Sequence, residues 1–215
     1  MTRSRCAAGR PRHRAGRRAG TGHAVARRLA AYGARVCPHR HVPHDAATPW
    51  GAGRVEDVRA SVSAAAGDPG DPDARVAGCP GDLTLPGAPG SPVRTAAEAL
   101  GGRLGILVAH HALSGGDGTL DVIDAAVPDA HWAVDIGSVL LVQAYARLRA
   151  ALPPRAPGGM TPAGQDHGAG MPGEIAYALQ KGAPASVGRS LATALAEHAV
   201  TVNTVDPRAR RAPDT

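Results

Sequence analysis

Tyr177 and Lys181 stand four residues apart in the stretch IAYALQKGA, Ile175 to Ala183. Lys181 is the only lysine of the chain, against twenty-three arginines, and Tyr177 is one of three tyrosines. A spacing of four on a helix puts both side chains on one face. A phenol with an ordinary pKa near 10 needs help to exchange protons near neutrality, and an ammonium one helical turn away stabilises the phenolate. Where arginine is used everywhere else, a lone lysine marks a position that wants a compact, tunable cation instead of a permanently charged planar fork. The pair is a candidate proton-exchange site.

A second candidate is the glycine set Gly16, Gly20 and Gly22 in GRRAGTG. Glycines there let the backbone turn tightly and approach a pyrophosphate, whose charge is met by the N-terminus of the helix that follows. A third is HRHVPH, with His39, His41 and His44. These could chelate a metal, but in a Pro-containing loop without Cys partners they read better as polar loop residues, and no metal is assigned.

These residues need elements to hold them. TGHAVARRLAAYG (Thr21 to Gly33) has one apolar helical face and ends at a Gly suited to the C-cap. ARVC (Ala34 to Cys37) reads as a short strand, VEDVRASVSAAA (Val55 to Ala66) as a helix and ARVAGC (Ala74 to Cys79) as a second strand. SPVRTAAEAL (Ser91 to Leu100) opens with Ser at the N-cap and Pro at the first helical position. LGILVA (Leu104 to Ala109) is a third strand, and a long helix runs from about Asp129 to Leu152. After the Pro/Gly-rich PPRAPGGMTPAGQDHGAGMPG comes the helix around Tyr177 and Lys181, then the strand VTVNTV (Val200 to Val205). Strands alternating with helices predict a doubly wound, Rossmann-like α/β fold, with ligands beyond the carboxyl ends of a parallel sheet.

Composition narrows the functional classes. A chain of 215 residues with 43% apolar content can bury one core. We expect a single domain over 16–215, preceded at 1–15 by a basic arm or degenerate first strand. No Asp or Glu precedes Asp45, whereas eleven arginines do. Such an arm could bind nucleic acid or simply be solvated. The absence of aromatic interleaving and zinc-finger spacing argues against specific nucleic-acid recognition. Three widely spaced cysteines without CxxC indicate neither a disulfide framework nor a zinc site. No run of eighteen apolar residues suggests a membrane span, and a cytoplasmic protein is expected.

In the order and spacing of these segments, from about residue 9 onward, the chain resembles the short-chain dehydrogenase/reductase family, and more narrowly its 3-oxoacyl-carrier-protein-reductase-like members. GTGHAVARRLAAYGARV is similar to the family's glycine loop and first helix, and GDL (Gly81 to Leu83) to its acidic adenine-contacting turn. LGILVAHHA resembles the strand that ends in Asn-Asn-Ala-Gly, MPGEIAYALQKGA the active-site helix, and VTVNTVDP the strand leading to a Pro-Gly cofactor loop. The resemblance implies hydride transfer to or from a carbonyl or alcohol, with Tyr177 as general acid/base. Lys181 would bind the nicotinamide ribose as well, and Asp135 would stand at the family's catalytic Asn. Gly16, Arg18, Gly20, Gly22, Arg40, Asp82, Leu83, Ala109, Lys181 and Pro207 are the implied cofactor contacts. A homo-oligomer through the two long helices is implied too.

Charge favours NADP(H) over NAD. After ARVC the chain offers His39 and Arg40, with Arg17 and Arg18 in the glycine loop and no carboxylate until Asp45. A carboxylate at the strand end would repel a 2′-phosphate, whereas cationic groups favour it; NAD remains the alternative.

Departures from the pattern keep a second reading open. The family's carbonyl-polarising serine corresponds to Gly164 or, with a one-residue shift, Ala163, leaving Thr161 or Gln165 as local substitutes. Loss of such a donor costs a factor of about a hundred to a thousand. GRPRHRA, before Gly16, is polar for a central strand, Pro184 falls inside the active-site helix, and the chain stops at Thr215, where the family continues with a further helix and strand. The alternative is a degenerate, non-catalytic member that keeps the fold and weak nucleotide or subunit binding.

Overall fold

The computed structural model describes residues 20–47, 51–66, 76–85, 87–113, 115–151, 158–162 and 172–205. Helix α1 spans Thr21–Ala31, and Gly33 follows it at φ 84°, a conformation a Cβ would disfavour. The Gly33 N–H is bonded to the Ala30 carbonyl, closing the helix as expected from sequence.

The parallel ladder after α1 lies further along than ARVC suggests. Val36 bridges Val76, and strands β1 (His39–Arg40) and β2 (Cys79–Pro80) pair His39 with Cys79 and Arg40 with Pro80. The N–H groups of Ala77, Cys79 and Gly81 donate to the carbonyls of Val36, Pro38 and Arg40. Pro38 has no N–H, and the ladder uses only its carbonyl, so the proline does not end the pairing. Between these strands run α2 (Val42–Ala47) and α3 (Val55–Ala65).

Cys37 and Cys79 form a disulfide across this ladder, which corrects the sequence reading of the cysteines. The parallel ladder sets His39 opposite Cys79, so the bond runs diagonally from Cys79 to Cys37, 42 positions away in sequence, and no local spacing reports that.

Helix α4 spans Gly90–Ala99, starting two residues before the expected Pro92. Pro89, not Ser91, holds the N-cap, because its fixed φ of −57° already suits the helix. Strand β3 (Ile106–Ala109) follows, then α5 (Ala126–Ala150), which starts three residues before Asp129 because Asp124 Oδ1 accepts the N–H groups of Ala126 and Val127. Strand β4 (Gly158–Pro162) lies in the Pro/Gly-rich stretch, where no element was expected. Helix α6 (Ile175–Leu195) continues unbroken through Pro184, and a 3₁₀ turn leads to β5 (Val200–Val202).

β3, β4 and β5 form a parallel sheet in that order, with Val108 opposite Thr161 and Met160 opposite Val202. Every described strand pair is parallel, as the alternating pattern predicts. The larger core joins Cys79, Leu83, Val93, Leu104, Leu141, Val142, Tyr145, Leu195 and Val200. A smaller one packs α1 on α3 through Ala26, Ala30, Val62 and Val76. No phenylalanine is present, so Tyr145 supplies the bulk at the centre. Its hydroxyl donates to the Gly105 carbonyl at 2.7 Å.

Candidate active site

Helix α6 carries Tyr177 and Lys181 on one face, with the Lys181 Nζ 5.6 Å from the centre of the Tyr177 ring. Lys181 is only 5% exposed. A buried ammonium needs fixed partners, and its Nζ donates to the His111 carbonyl at 3.0 Å, just past the end of β3. The first turn of α6 is tied to the same region. Asp117 accepts the N–H groups of Ala176 at 3.1 Å and Tyr177 at 2.7 Å. Burial pushes the Asp117 pKa up, but the N–H groups of Tyr177, Gly118 and Ala176, with His131 beside them, outweigh this and hold it below the usual carboxylate range.

His111 is itself fixed from α5. Its Nε2 lies 3.3 Å from the Val134 carbonyl and 2.9 Å from Ser138 Oγ. A carbonyl can only accept, so this nitrogen carries the proton. Burial, reinforced by the Lys181 charge, lowers the His111 pKa to about 4, so the ring is neutral at pH 7. His110 is shifted down for the same two reasons. Its ring lies over the first turn of α1: a Cβ on Gly22 would come within 3.2 Å of His110 Cδ2. Glycine at 22 therefore lets the end of β3 close on the glycine turn. Deeper between the helices, His131 Nδ1 pairs with Gln180 Oε1 at 3.0 Å, both residues being buried.

At the far edge, His39 Nε2 donates to the Gly81 carbonyl at 3.0 Å, and burial lowers the His39 pKa. The Asp82 carboxylate accepts from the Thr84 hydroxyl and N–H, which together lower its pKa. Arg40 reaches over Gly78, and among the described residues its buried Nε has no hydrogen-bond partner. Among the described residues, no group of three His, Cys, Asp or Glu side chains is arranged to hold a metal ion.

Over residues 15–214 the chain matches the model of the family described as enoyl-(acyl carrier protein) reductase. The chain belongs to the short-chain dehydrogenase/reductase family. A protein of Sinorhizobium meliloti 1021 described as a short-chain alcohol dehydrogenase is similar in structure, with a TM-score of 0.69 at 26% identity, over 87% of this chain and 67% of its own. The reductase LugOII, which catalyses keto-reduction at C1 in lugdunomycin biosynthesis, gives 0.67 at 25% identity, over 86% and 68%. The NADH-dependent reductase A1-R′, solved with NAD, gives 0.68 at 21% identity, over 86% and 73%, and shows the fold alone. No curated protein matches the chain significantly. The fold is Rossmann-like.

Within this dehydrogenase/reductase framework the structure brings Tyr177, Lys181, the end of β3 and the Gly22 turn into one neighbourhood. Gly20 is the exposed N-cap of α1, with nothing within 4 Å of a Cβ placed there. Asp135 lies on α5 one residue after Val134, whose carbonyl His111 approaches. Ala109 is buried at the end of β3 opposite Pro162. Arg40, Asp82 and Leu83 cluster around β1 and β2, but the Leu83 side chain points into the larger core, against Gly137 of α5. Its part in any nucleotide contact is thus limited to backbone. Thr161 lies in β4. Gly16, Arg18, Ala163, Gly164, Gln165 and Pro207 lie outside the described residues. Asp117, Ser138, His131 and Gln180 were not foreseen. The only sequence signal among them is Asp117 in GGDG, an Asp between glycines at a turn.

Proposed function

We propose that this chain is an NADP(H)-dependent oxidoreductase acting on a small carbonyl or alcohol substrate, with Tyr177 as general acid/base and Lys181 as the cation that favours its phenolate. The observation that carries the reading is the Lys181 Nζ 5.6 Å from the Tyr177 ring, beside the strand end that covers the glycine turn. The residues present fit a dinucleotide. The exposed N-terminus of α1 at Gly20 suits a pyrophosphate. The orphan Nε of Arg40 is a buried donor that a 2′-phosphate would satisfy, which supports NADP over NAD. When bound, the nicotinamide supplies or takes the hydride.

The chain's own residues handle the proton. Tyr177 gives its hydroxyl proton to the developing alkoxide in reduction and takes it back in oxidation. Lys181, anchored on the His111 carbonyl, offsets the charge left on the phenol oxygen. Asp135 is assigned as the helix residue at the family's Asn position. Trp132, Val139 and Leu140 on α5 and Leu179 on α6 are exposed, and burying them between two copies would give the expected homo-oligomer. Among the described residues no helix is long and apolar enough to cross a membrane. A cytoplasmic setting suits a reductase that draws on NADPH, and there the Cys37–Cys79 pair is expected to be reduced.

Titration with NADPH and NADH followed by fluorescence, then turnover of a ketone and β-ketoester panel, tests the proposal. Saturable NADPH binding tighter than NADH, and turnover that falls about 10²- to 10⁴-fold in Tyr177→Phe, is the expected result. Equal turnover in Tyr177→Phe would remove Tyr177 as the acid/base. The second reading, a non-catalytic nucleotide binder, is favoured by the lack of any serine between Val139 and Pro184. It predicts binding without turnover.

A further inference from the structure

We propose that Asp117 is the positioning residue for Tyr177: from the loop after β3, its carboxylate caps the N-terminus of α6 and thereby fixes both the place and the proton affinity of the phenol. This rests on the reading of Tyr177 as acid/base. The first N–H groups of a helix have no partner inside it, and a side chain just before the helix normally accepts them. Here that position is Glu174, which has φ −139°, ψ 53° and makes no capping bond. Asp117 takes over from 60 positions away. Its Oδ2 accepts from Tyr177 itself at 2.7 Å, and its Oδ1 from Ala176 at 3.1 Å. Those are the second and third helical residues, the donors a local cap would serve.

Local sequence delivers the carboxylate. Gly115 and Gly116 adopt φ of 86° and 71°, a turn that side chains resist, and the Gly118 N–H binds Oδ1 at 2.8 Å. The aspartate is thus oriented before it meets the helix.

Two consequences follow for Tyr177. Its backbone N–H is one of the two held groups, so the first turn of α6 cannot shift without breaking the bond. Electrostatically, the carboxylate faces the positive end of the α6 dipole, and so opposes the effect of Lys181, which lies a turn further along the same helix. Among the described residues the other titratable groups here are the exposed Glu174 at the start of α6, His131 of α5, beside Asp117, and His110 and His111 at the end of β3, near Lys181. Losing the Asp117 charge therefore favours the phenolate, and Tyr177 titrates at lower pH.

The test uses Asp117→Ala and Asp117→Asn in the full chain, with thermal unfolding to confirm that each folds. Asp117→Ala is expected to lower kcat by about a hundredfold while NADPH affinity stays at the wild-type value, since a displacement of about 1 Å at a reacting group has that effect. Asp117→Asn keeps an acceptor but loses the charge. It is expected to recover part of kcat and to move the rising limb of alcohol oxidation to lower pH. The phenol can also be read without turnover, from the ultraviolet titration of the chain's three tyrosines with Tyr177→Phe subtracted. Wild-type kcat in Asp117→Ala together with an unmoved Tyr177 titration in Asp117→Asn would overturn the proposal. If the wild type turns over nothing, the oxidoreductase reading fails by itself, and the ultraviolet titration alone decides whether Asp117 tunes Tyr177.

Discussion

The two sheets, β1-β2 at one end and β3-β4-β5 at the other, are held in different ways. Around β3, β4 and β5 the chain is cross-tied by polar side chains that reach between elements: Lys181 to His111, His111 to Ser138, Asp117 to the start of α6 and Tyr145 to Gly105. Around β1 and β2 a small core joins Ala26, Ala30, Val62 and Val76, while Cys79 of β2 reaches into the larger one. Arginines there bind backbone carbonyls, Arg35 to Ala99 and Leu100 and Arg59 to Val76, and the Cys37–Cys79 bond crosses the ladder. The region that carries the proposed proton donor is specified by directional bonds, and the region proposed to take the nucleotide edge by a staple and a few cationic contacts. Directional bonds fix a geometry, whereas a crosslink limits mainly what the unfolded chain can do.

The sharpest way to break that comparison is to remove the staple. Closing a loop over 42 positions stabilises by about 4 kcal/mol in the chain-entropy picture. Reduction, or Cys79→Ala, is therefore expected to lower urea stability by an amount of that order. Hydrogen exchange should then speed first in α1, α3, β1 and β2, leaving α5 and α6 protected. Equal acceleration at both ends would show one cooperative unit and erase the distinction. Thiol titration of the native, unreduced chain should find one reactive cysteine, Cys6, of the three.

Acid tests the other end. His111 is neutral in the fold with a pKa of about 4, against an ordinary 6.5. The unfolded chain takes up its proton first on acidification, so this contribution to stability is complete above pH 6.5 and is lost as pH falls toward 4. Integrated over that window it amounts to at most about 3 kcal/mol. His110 and His39, whose pKa values are also lowered, act in the same direction. Asp82 and Asp117, held below the usual carboxylate range, extend the loss to lower pH. Urea unfolding between pH 7.5 and 4.5 should show the decline, and His111→Gln should flatten it. An unchanged slope in that variant would remove His111 as the cause.

Much of this is legible in the sequence. Apolar periodicity located α1, α3, α4, β3, α5 and α6, because each buries one face, and the Tyr177/Lys181 spacing placed both groups on one side of their helix. Three features were not legible, each for a physical reason. Strand β4 hides in GGMTP, where glycine and proline conceal the pattern and neighbours on both sides impose the extended backbone. The disulfide depends on parallel register. The remote cap on α6 belongs to no local motif, since Asp117 and Tyr177 meet only after the sheet has formed. The glycine loop before Gly20 and the Pro207 turn fall outside the described residues. The cofactor half of the candidate site therefore stands on Gly20, Gly22, Arg40 and Asp82.

The smallest expected effect separates packing from directional bonding at the centre of the larger core. Tyr145 is fully buried, and its hydroxyl bonds the Gly105 carbonyl at the entrance to β3. Burial raises the Tyr145 pKa, although the Arg149 charge opposes this, so the group stays a protonated donor across the accessible range. Tyr145→Phe keeps the ring volume and removes one hydrogen bond to the carbonyl of the exposed Gly105, at a cost of about 0.5–1.5 kcal/mol. Tyr145→Leu removes ring volume as well and should cost about 1–3 kcal/mol more, because a core without phenylalanine has little else to fill the space. If both variants cost the same, the hydrogen bond dominates and the central strand is oriented by it. If Tyr145→Phe is silent, packing alone holds β3, and the directional network begins only at the strand's end, where His111 meets Lys181.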